Sequence, residues 1–150
     1  MLVPIIYASE GDREFVDKIV ASLERLNIPT ALHLASAHKV PEKVFAVVQS
    51  YNGSDEPVCY ITVAGRSNGL SGVVAANSVH PVIACPPHAS KEEYMIDIHS
   101  SLRMPSDTPV LIVIDPGNAA LAAARILALT DKGLQKKIAS AIKEMKKKFA

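Results

Sequence analysis

Cysteine, aromatic side chains and long apolar runs are all scarce in this sequence, and each scarcity excludes a class of protein. The two cysteines, Cys59 and Cys85, form no Cys-x-x-Cys pair, which excludes a disulfide framework and a zinc site of paired cysteines. Four Tyr, three Phe and no Trp leave too few rings for a platform that stacks single-stranded bases. The apolar runs are about six residues long, against the roughly 20 needed to cross a bilayer.

Net charge is also small, and it is unevenly placed. Sixteen basic and 15 acidic residues sum to +1, which excludes a disordered or histone-like chain and argues against nucleic acid as a partner. Residues 136–150 hold six lysines and one glutamate, a net of +5, while residues 1–135 hold 10 basic and 14 acidic groups, a net of −4. The first residues lack the basic segment and cleavage site of a signal peptide. We therefore expect a soluble protein of the reducing cytoplasm, with no membrane partner.

Five apolar runs rich in Val and Ile recur at intervals that leave room for helices: LVPIIYA, TALHLAS, VCYITVAG, PVIACP and PVLIVID. Their nearly continuous apolar character is typical of parallel strands covered on both faces. Proline precedes or begins the last four runs, where a missing N–H costs a sheet least. Pro4, inside the first run, predicts that this strand pairs only from about Ile5 onward.

The stretches between the runs carry helical stripes, such as Phe15, Ile19 and Leu23. The Ala- and Leu-rich stretch 119–129 predicts a helix that is buried on most sides. Such alternation of strands and helices predicts the α/β class, as a three-layer α/β/α, doubly wound parallel sheet with right-handed crossovers. We expect a flavodoxin-like strand order and, from the length of 150 residues, one compact domain.

Residues 131–150 predict an extra C-terminal helix, which follows an α/β domain of residues 1–130. Leu134, Ile138 and Ile142 share one face, and lysines occupy the others. A basic amphipathic helix is compatible with a membrane surface or a nucleic acid, but it is more often a packing helix with a solvated lysine face. We expect this helix to pack on the same domain or on a neighbouring subunit.

Ligands of open α/β sheets bind beyond the carboxyl ends of the strands, and five segments leave those ends: ASEGD, ASAHK, AGRSNGLSG, ACPPHAS and DPGNAA. Small residues dominate these segments, so that the backbone can approach a ligand closely. Four of the five lead towards helices, whose N-terminal amides favour an anion. Hydroxyl groups at Ser9, Ser36, Ser67 and Ser71 add donors. The segments therefore predict a small, phosphate-bearing ligand.

Each candidate in these segments also has a structural interpretation. Ser9 and Asp12 suit the capping of the first helix, and Lys39 and Arg66 suit ordinary surface cations. The P-loop motif GxxxxGK[ST] is absent, and the histidines show no spacing typical of metal ligands. His38 is the clearest candidate for proton transfer, because imidazole titrates near neutral pH, although a loop histidine is more often structural.

Five motifs carry a family resemblance: SAHK (36–39), AGRSNGLSG (64–72), PVIACPP (81–87), SSLRMPS (100–106) and NAALAAARI (118–126). In this order and spacing they resemble the PurE family of purine biosynthesis. Members share the three-layer α/β/α fold and assemble as homo-oligomers, commonly octamers or tetramers. Class I members carry a histidine in the loop after the third strand. This chain has RSNGLSG there and is similar to class II.

The resemblance implies an activity and a set of site residues. Class II members convert 5-aminoimidazole ribonucleotide (AIR) and carbon dioxide to 4-carboxy-AIR, reversibly and without biotin, ATP or a metal as cofactor. By resemblance, His38 is the residue that transfers the proton. The implied substrate contacts are Ser9, Asp12, Ser36 and Lys39 for the ribose phosphate, and Gly65, Arg66, Ser67 and Asn68 for the carboxylate side.

The first motif departs from the family pattern. The usual Gly-Ser-x-Ser-Asp reads ASEGD here, so one hydroxyl is lost at Gly11 and Glu10 adds a carboxylate near the expected phosphate. This departure supports one alternative, a non-catalytic ribonucleotide-binding module of the same fold. A second alternative is the class I activity, a mutase acting on N5-carboxy-AIR.

Overall fold

The sheet of this protein is built from the five apolar runs. The computed structural model describes residues 1–88 and 90–149. Its strands are β1 (Val3–Tyr7), β2 (Thr30–Leu34), β3 (Tyr60–Val63), β4 (Val82–Ala84) and β5 (Leu111–Ile112). Neighbouring strands pair in parallel in the order β2-β1-β3-β4-β5. This is the flavodoxin-like order, and it confirms the predicted fold class.

Helices fill the crossovers and cover both faces of the sheet. They are α1 (Arg13–Glu24), α2 (Pro41–Asn52), α3 (Gly69–Asn77), α4 (Lys91–Leu102), α5 (Pro116–Leu127) and α6 (Lys132–Lys147). Helices α1, α5 and the first half of α6 bury side chains in one hydrophobic cluster, while α2 and α3 bury theirs in a second. The sheet between the two clusters completes the three predicted layers.

Successive residues of the central strands point to opposite faces and fill the two clusters in turn. Ile5 and Ile61 lie in the cluster with α1 and α5, whereas Ile6 and Tyr60 lie in the cluster with α2 and α3. All four are fully buried, and each such side chain contributes about 1.5–3 kcal/mol. Burial on both faces is the reason that the runs lack the apolar–polar alternation of a half-exposed sheet.

The prediction that β1 pairs only from about Ile5 onward is wrong for its pairing with β2 and correct for its pairing with β3. The strand pairs with β2 from Val3 onward and with β3 from Ile5 onward. Leu2 and Ala8 donate their N–H groups toward the β3 side, and Pro4, an even number of residues from both, faces the same way. The missing N–H of Pro4 therefore costs one bond to β3 and leaves the ladder with β2 intact.

The C-terminal helix α6 is amphipathic, as predicted, and packs on its own domain through its first half. Leu134 and Ile138 are buried against the cluster that holds α1 and α5, while Met145 is 48% and Phe149 is 85% exposed. Among the helices of residues 1–88 and 90–149, none is both long and apolar enough to cross a membrane.

Candidate active site

The loops that follow β2, β1 and β3 begin side by side, because these three strands are neighbours in the sheet. Backbone hydrogen bonds continue beyond the strands, from Ala35 N to Tyr7 O and from Ala8 N to Val63 O, both at 3.0 Å. Ligands of such sheets bind where the strand order reverses, which is between β1 and β3 here. The residues implied as catalytic or as substrate contacts all lie on these three loops, at one edge of the sheet. The Ser71 hydroxyl, expected among the donors to the ligand, lies instead inside α3 and is fully buried.

The first loop turns on a hydrogen bond within itself. Ser9 Oγ accepts from the N–H of Gly11 at 3.2 Å and so caps the short 3-10 turn Glu10–Asp12. The Asp12 carboxylate makes no capping hydrogen bond within the described first turn of α1. Its burial raises its pKa, and a hydrogen bond with the Ser9 backbone opposes that shift. Ser9 therefore caps the 3-10 turn that leads into α1 and not α1 itself, and the Asp12 side chain does not cap α1.

The second loop presents His38 and Lys39 at the tip of a tight turn. The Ser36 carbonyl accepts from Val40 N at 2.9 Å and from Lys39 N at 3.3 Å, which reverses the chain within a few residues. Both tip residues are exposed, and Ser36 is half-buried. His38 therefore lies on the surface and not in the core.

The imidazole of His38 rests on the backbone of Gly69, the first residue of α3. A Cβ atom placed on Gly69 would lie 2.9 Å from His38 Nε2 and 3.5 Å from His38 Cε1. Real Cβ atoms essentially never make contacts below about 3.0 Å, so a side chain at position 69 would displace the imidazole from this position. The contact places the His38 side chain against the start of α3.

The β3–α3 loop (Gly65–Asn68) is held from behind by α4. Arg66 adopts φ +54°, a left-handed conformation that is uncommon for a residue with a Cβ. Its N–H donates to Asp97 Oδ2 at 3.0 Å. The Ser100 hydroxyl lies 3.0 Å from the Arg66 carbonyl oxygen and accepts from Asn68 N at 2.9 Å. The side chains of Arg66 and Ser67 remain exposed at the sheet edge.

The side chain of Asn68 is only 3% exposed, and both its oxygen and its nitrogen make hydrogen bonds inside the protein. Its Oδ1 accepts from Ser71 N at 3.2 Å and from Ser71 Oγ at 2.9 Å, which caps α3. Its Nδ2 donates to Ser101 Oγ at 2.9 Å. Ser71 Oγ in turn shares a 2.8 Å hydrogen bond with Thr62 Oγ1 of β3. The side chain thus ties the loop, α3 and α4 together.

Several residues that shape this site carried no assigned role in the sequence. Ser100 and Ser101 stood in a family motif without a function, and Gly69 was one glycine among several in its loop. Asp97 had no signal, because it lies 31 positions from its partner Arg66 in the middle of a helix. The adjacent hydroxyls of Ser100 and Ser101, near the end of α4, were the one feature of this helix that pointed to a role at the site.

Of the other nucleophilic and titratable candidates, Cys59 and Cys85 belong to the core, while His33 and His80 are half-buried beside Tyr51. Burial raises the pKa of both Cys59 and Cys85 to about 12, so neither thiol is a nucleophile at neutral pH. His33 Nε2 lies 3.0 Å from the Tyr51 hydroxyl, and His80 Nε2 lies 2.9 Å from the Tyr51 carbonyl oxygen. Within the described residues, no three His, Cys, Asp or Glu side chains are grouped closely enough to hold a metal ion.

Two cavities lie away from the predicted site residues. One, of about 440 Å³, is at the opposite edge of the sheet and is lined in part by Val79, Pro81 and Leu111. The other, of about 390 Å³, lies beyond the carboxyl ends of β4 and β5 and is lined by His88, Ser90, Lys91, Tyr94 and Ile114. The edge that carries His38, Lys39 and Arg66 is instead open to solvent in the single chain.

Comparison with known proteins places this architecture in one family. The chain is 45% identical over 138 residues to a phosphoribosylaminoimidazole carboxylase of Archaeoglobus fulgidus, covering 92% of this chain and 75% of the relative. It is 43% identical over 139 residues to one of Treponema denticola, covering 93% of this chain and 87% of the relative.

Solved structures and the family model agree with these relatives. The crystal structure of Treponema denticola PurE matches with a TM-score of 0.94 at 41% identity, covering 99% of this chain and 93% of that one. The model of the AIR carboxylase family matches residues 2–148. The chain therefore belongs to the AIR carboxylase family.

Proposed function

We propose that this protein is a class II AIR carboxylase of purine biosynthesis, which converts AIR and carbon dioxide reversibly to 4-carboxy-AIR. The observation that carries the proposal is the position of His38, whose exposed imidazole lies against Gly69 at the start of α3, on the edge of the sheet where β2, β1 and β3 end side by side. The relatives that carry the name phosphoribosylaminoimidazole carboxylase support the same substrate class. The loop from Arg66 to Gly72 lacks the histidine that class I members have there, which favours direct carboxylation.

The first two loops would bind the ribonucleotide. Lys39 and the hydroxyls of Ser9 and Ser36 offer a cation and donors to the phosphate, and the turn before α1 adds backbone N–H groups. Asp12, whose carboxylate makes no capping bond within the described part of α1, would accept from the ribose hydroxyls. Gly11 has no hydroxyl, and its N–H donates to Ser9 Oγ at 3.2 Å, so this amide would have to exchange that partner to reach the phosphate.

Beyond the residues that bind the ribonucleotide, the carboxylation itself needs few protein groups. C4 of AIR is enamine-like, so its electron pair attacks the carbon of carbon dioxide and forms the new C–C bond. C4 then carries both a hydrogen and a carboxylate, and His38 removes the proton to restore the aromatic ring. In the reverse direction the imidazolium of His38 returns that proton to C4, and carbon dioxide leaves. No biotin, ATP or metal enters this scheme.

The β3–α3 loop would hold the carboxylate. The exposed side chains of Arg66 and Ser67, together with the backbone of Gly65, would offer donors where negative charge develops in the transition state; the N–H of Arg66 is already bonded to Asp97. The family resemblance places Asn68 among these carboxylate contacts, but its side chain is hydrogen-bonded to Ser71 and Ser101. We therefore give Asn68 a supporting role behind the loop.

A homo-oligomer, either an octamer or a tetramer, is part of the proposal. Carboxylation requires that water be kept from the intermediate, yet His38, Lys39 and Arg66 are exposed in the single chain. A neighbouring subunit over this edge would exclude water. Sedimentation velocity at micromolar concentration should give four or eight chains per particle, and a monomer would reject this part. The cytoplasmic location and the separate status of residues 131–150 stay predictions.

The direct test supplies the purified chain with AIR and bicarbonate, without ATP, and follows the formation of 4-carboxy-AIR. Turnover is expected with this mixture. Turnover with N5-carboxy-AIR alone would favour the class I alternative, and ribonucleotide binding in calorimetry without any turnover would favour the non-catalytic module. His38→Asn should keep the stability of the wild type, since the side chain is exposed, and lose at least about 100-fold in rate.

A further inference from the structure

The β3–α3 loop depends on side chains of α4 for its conformation. Asp97 accepts from the N–H of Arg66 at 3.0 Å, Ser100 accepts from the N–H of Asn68 at 2.9 Å, and Ser101 accepts from Asn68 Nδ2 at 2.9 Å. These three side chains occupy successive positions along one side of the helix, as residues at i, i+3 and i+4 do. Helix α4 therefore acts as a rigid support for the loop.

Arg66 is the point of the loop that most needs such support. Within residues 1–88 and 90–149, the non-glycine residues with positive φ are Asn27, Arg66 and Asp107. Asn and Asp tolerate the left-handed region because their short side chains bond locally, whereas arginine has no such help. A strained residue persists only where its surroundings over-determine it. For Arg66 those surroundings are Asp97 on its N–H and Ser100 beside its carbonyl.

The support reaches His38 through two further contacts. Asn68, which Ser100 and Ser101 hold, caps α3 by accepting from Ser71. The cap determines where α3 begins, and its first residue, Gly69, is the surface on which the His38 imidazole rests. A shift of the loop would therefore move both the groups expected around the carboxylate and the base expected to take the proton.

We propose that Asp97, Ser100 and Ser101 are positioning residues of the carboxylation reaction, which hold the β3–α3 loop in its strained form and thereby place the carboxylate-binding groups against His38. The proposal rests on the proposed function. None of the three needs to touch substrate, because each acts through Arg66 or Asn68. The ribonucleotide contacts Ser9, Asp12, Ser36 and Lys39 lie on the other two loops, which α4 does not hold through these bonds.

This separation of loops gives the proposal a kinetic signature. Loss of the support should lower kcat, because the carboxylate and proton-transfer geometry degrades, and a misplacement of about 1 Å can cost about 100-fold. KM for AIR should stay within about threefold, since the ribose-phosphate contacts are unchanged. A general loss of folded protein would instead lower the active fraction and leave kcat per folded chain unaltered.

The experiment compares Asp97→Ala with Asp97→Asn in the full chain, using Glu92→Ala as a matched control on the exposed side of α4. Asparagine retains an oxygen that can accept from Arg66 N–H, so it should keep kcat within about threefold, while Asp97→Ala loses at least about tenfold at nearly unchanged KM. Ser100→Ala should resemble Asp97→Ala, and Glu92→Ala should resemble the wild type. Equal kcat for Asp97→Ala and the wild type would overturn the proposal.

Amide hydrogen exchange supplies a readout that does not depend on turnover. The Arg66 amide should be protected in the wild type and in Asp97→Asn and should exchange at least about tenfold faster in Asp97→Ala, as expected when an amide loses its hydrogen-bond acceptor. Unchanged protection there would overturn the proposal even if kcat fell. A wild type without turnover rejects the proposed function, and the positioning role with it, whereas an active wild type and an unaffected Asp97→Ala reject the positioning role alone.

Discussion

At the scale of single residues, the contact between His38 and Gly69 makes a prediction that separates activity from stability. Gly69→Ala would put a Cβ 2.9 Å from His38 Nε2, which forces the imidazole out of its place. Alanine is also a better helix former than glycine, by up to about 1 kcal/mol. We therefore expect kcat for AIR carboxylation to fall at least about tenfold, while the urea midpoint of unfolding stays equal or rises.

Gly53→Ala is the matched control for this prediction. Gly53 is exposed at the end of α2, and an added Cβ there would meet no atom within 4 Å among the described residues. The same chemical change should leave kcat within about twofold, as is usual for a surface substitution. An active Gly69→Ala variant would show that the imidazole does not need its place on α3.

The sequence singles out His38 as a candidate but does not identify the residues that surround it, and the reason is physical. His38 stands in a motif whose residues are adjacent in the chain, so the resemblance finds it directly. The partners that place it are distant: Gly69 lies beyond another strand, and Asp97 reaches Arg66 across 31 positions. Such contacts depend on how α4 lies against the sheet edge, which no local pattern specifies.

At the scale of elements, helix α3 depends on an internal cap that is more than an ordinary N-cap. Asn68→Ala would remove the acceptor of Ser71 N–H and also the partner of Ser101 Oγ, both in the protein interior. The lost cap costs about 1 kcal/mol, and the buried Ser101 hydroxyl, left without the Asn68 donor, costs a further 1–3 kcal/mol or so. We expect a decrease of about 2–4 kcal/mol in the free energy of unfolding, measured with urea.

Ser90→Ala provides the comparison for the α3 cap. Ser90 caps α4 by accepting from Glu93 N–H at 3.1 Å in an exposed setting, where water can replace the lost bond. The loss there should be about 1 kcal/mol. Equal losses for the two variants would mean that the interior bonds of Asn68 contribute nothing beyond a cap.

The strands and helices were largely predictable because their patterns are local. Continuous apolar runs mark strands that are covered on both faces, and every one of the five appears in the sheet. The residues at which strands and helices begin and end were less predictable. Pro4 stays within β1 because its missing N–H faces β3 while the ladder to β2 continues, and α5 begins at Pro116 because Asp115 caps it, accepting from Asn118 N at 2.7 Å.

At the scale of the whole molecule, the charge is divided between a body of net −4 and a C-terminal segment of net +5. An acidic body offers no overall attraction to a ribonucleotide. The proposed site therefore relies on local donors, with Lys39 and Arg66 exposed at its edge and helix N-termini behind them. The lysines of α6 lie along a helix whose first half is anchored by Leu134 and Ile138.

The stability of the whole fold should depend on pH through His33. Burial, with a smaller contribution from the charge of Lys43, lowers the pKa of His33 below its ordinary 6.5. The unfolded chain then binds the proton more tightly than the folded one, so the stabilisation is complete above about pH 6.5 and is lost as the pH falls through the folded pKa. The free energy of unfolding of the wild type should therefore decrease between pH 7.5 and pH 5.

His33→Gln isolates this contribution, since glutamine can keep a hydrogen bond to the Tyr51 hydroxyl, now 3.0 Å from His33 Nε2, and does not titrate. Carboxylates with shifted pKa values, such as Asp12, act equally in both proteins and cancel in the difference. Urea unfolding at pH 7.5, 6.5, 5.5 and 5 should give a wild-type curve that falls more steeply than that of the variant. Parallel curves would mean that His33 is as easily protonated in the fold as in the unfolded chain.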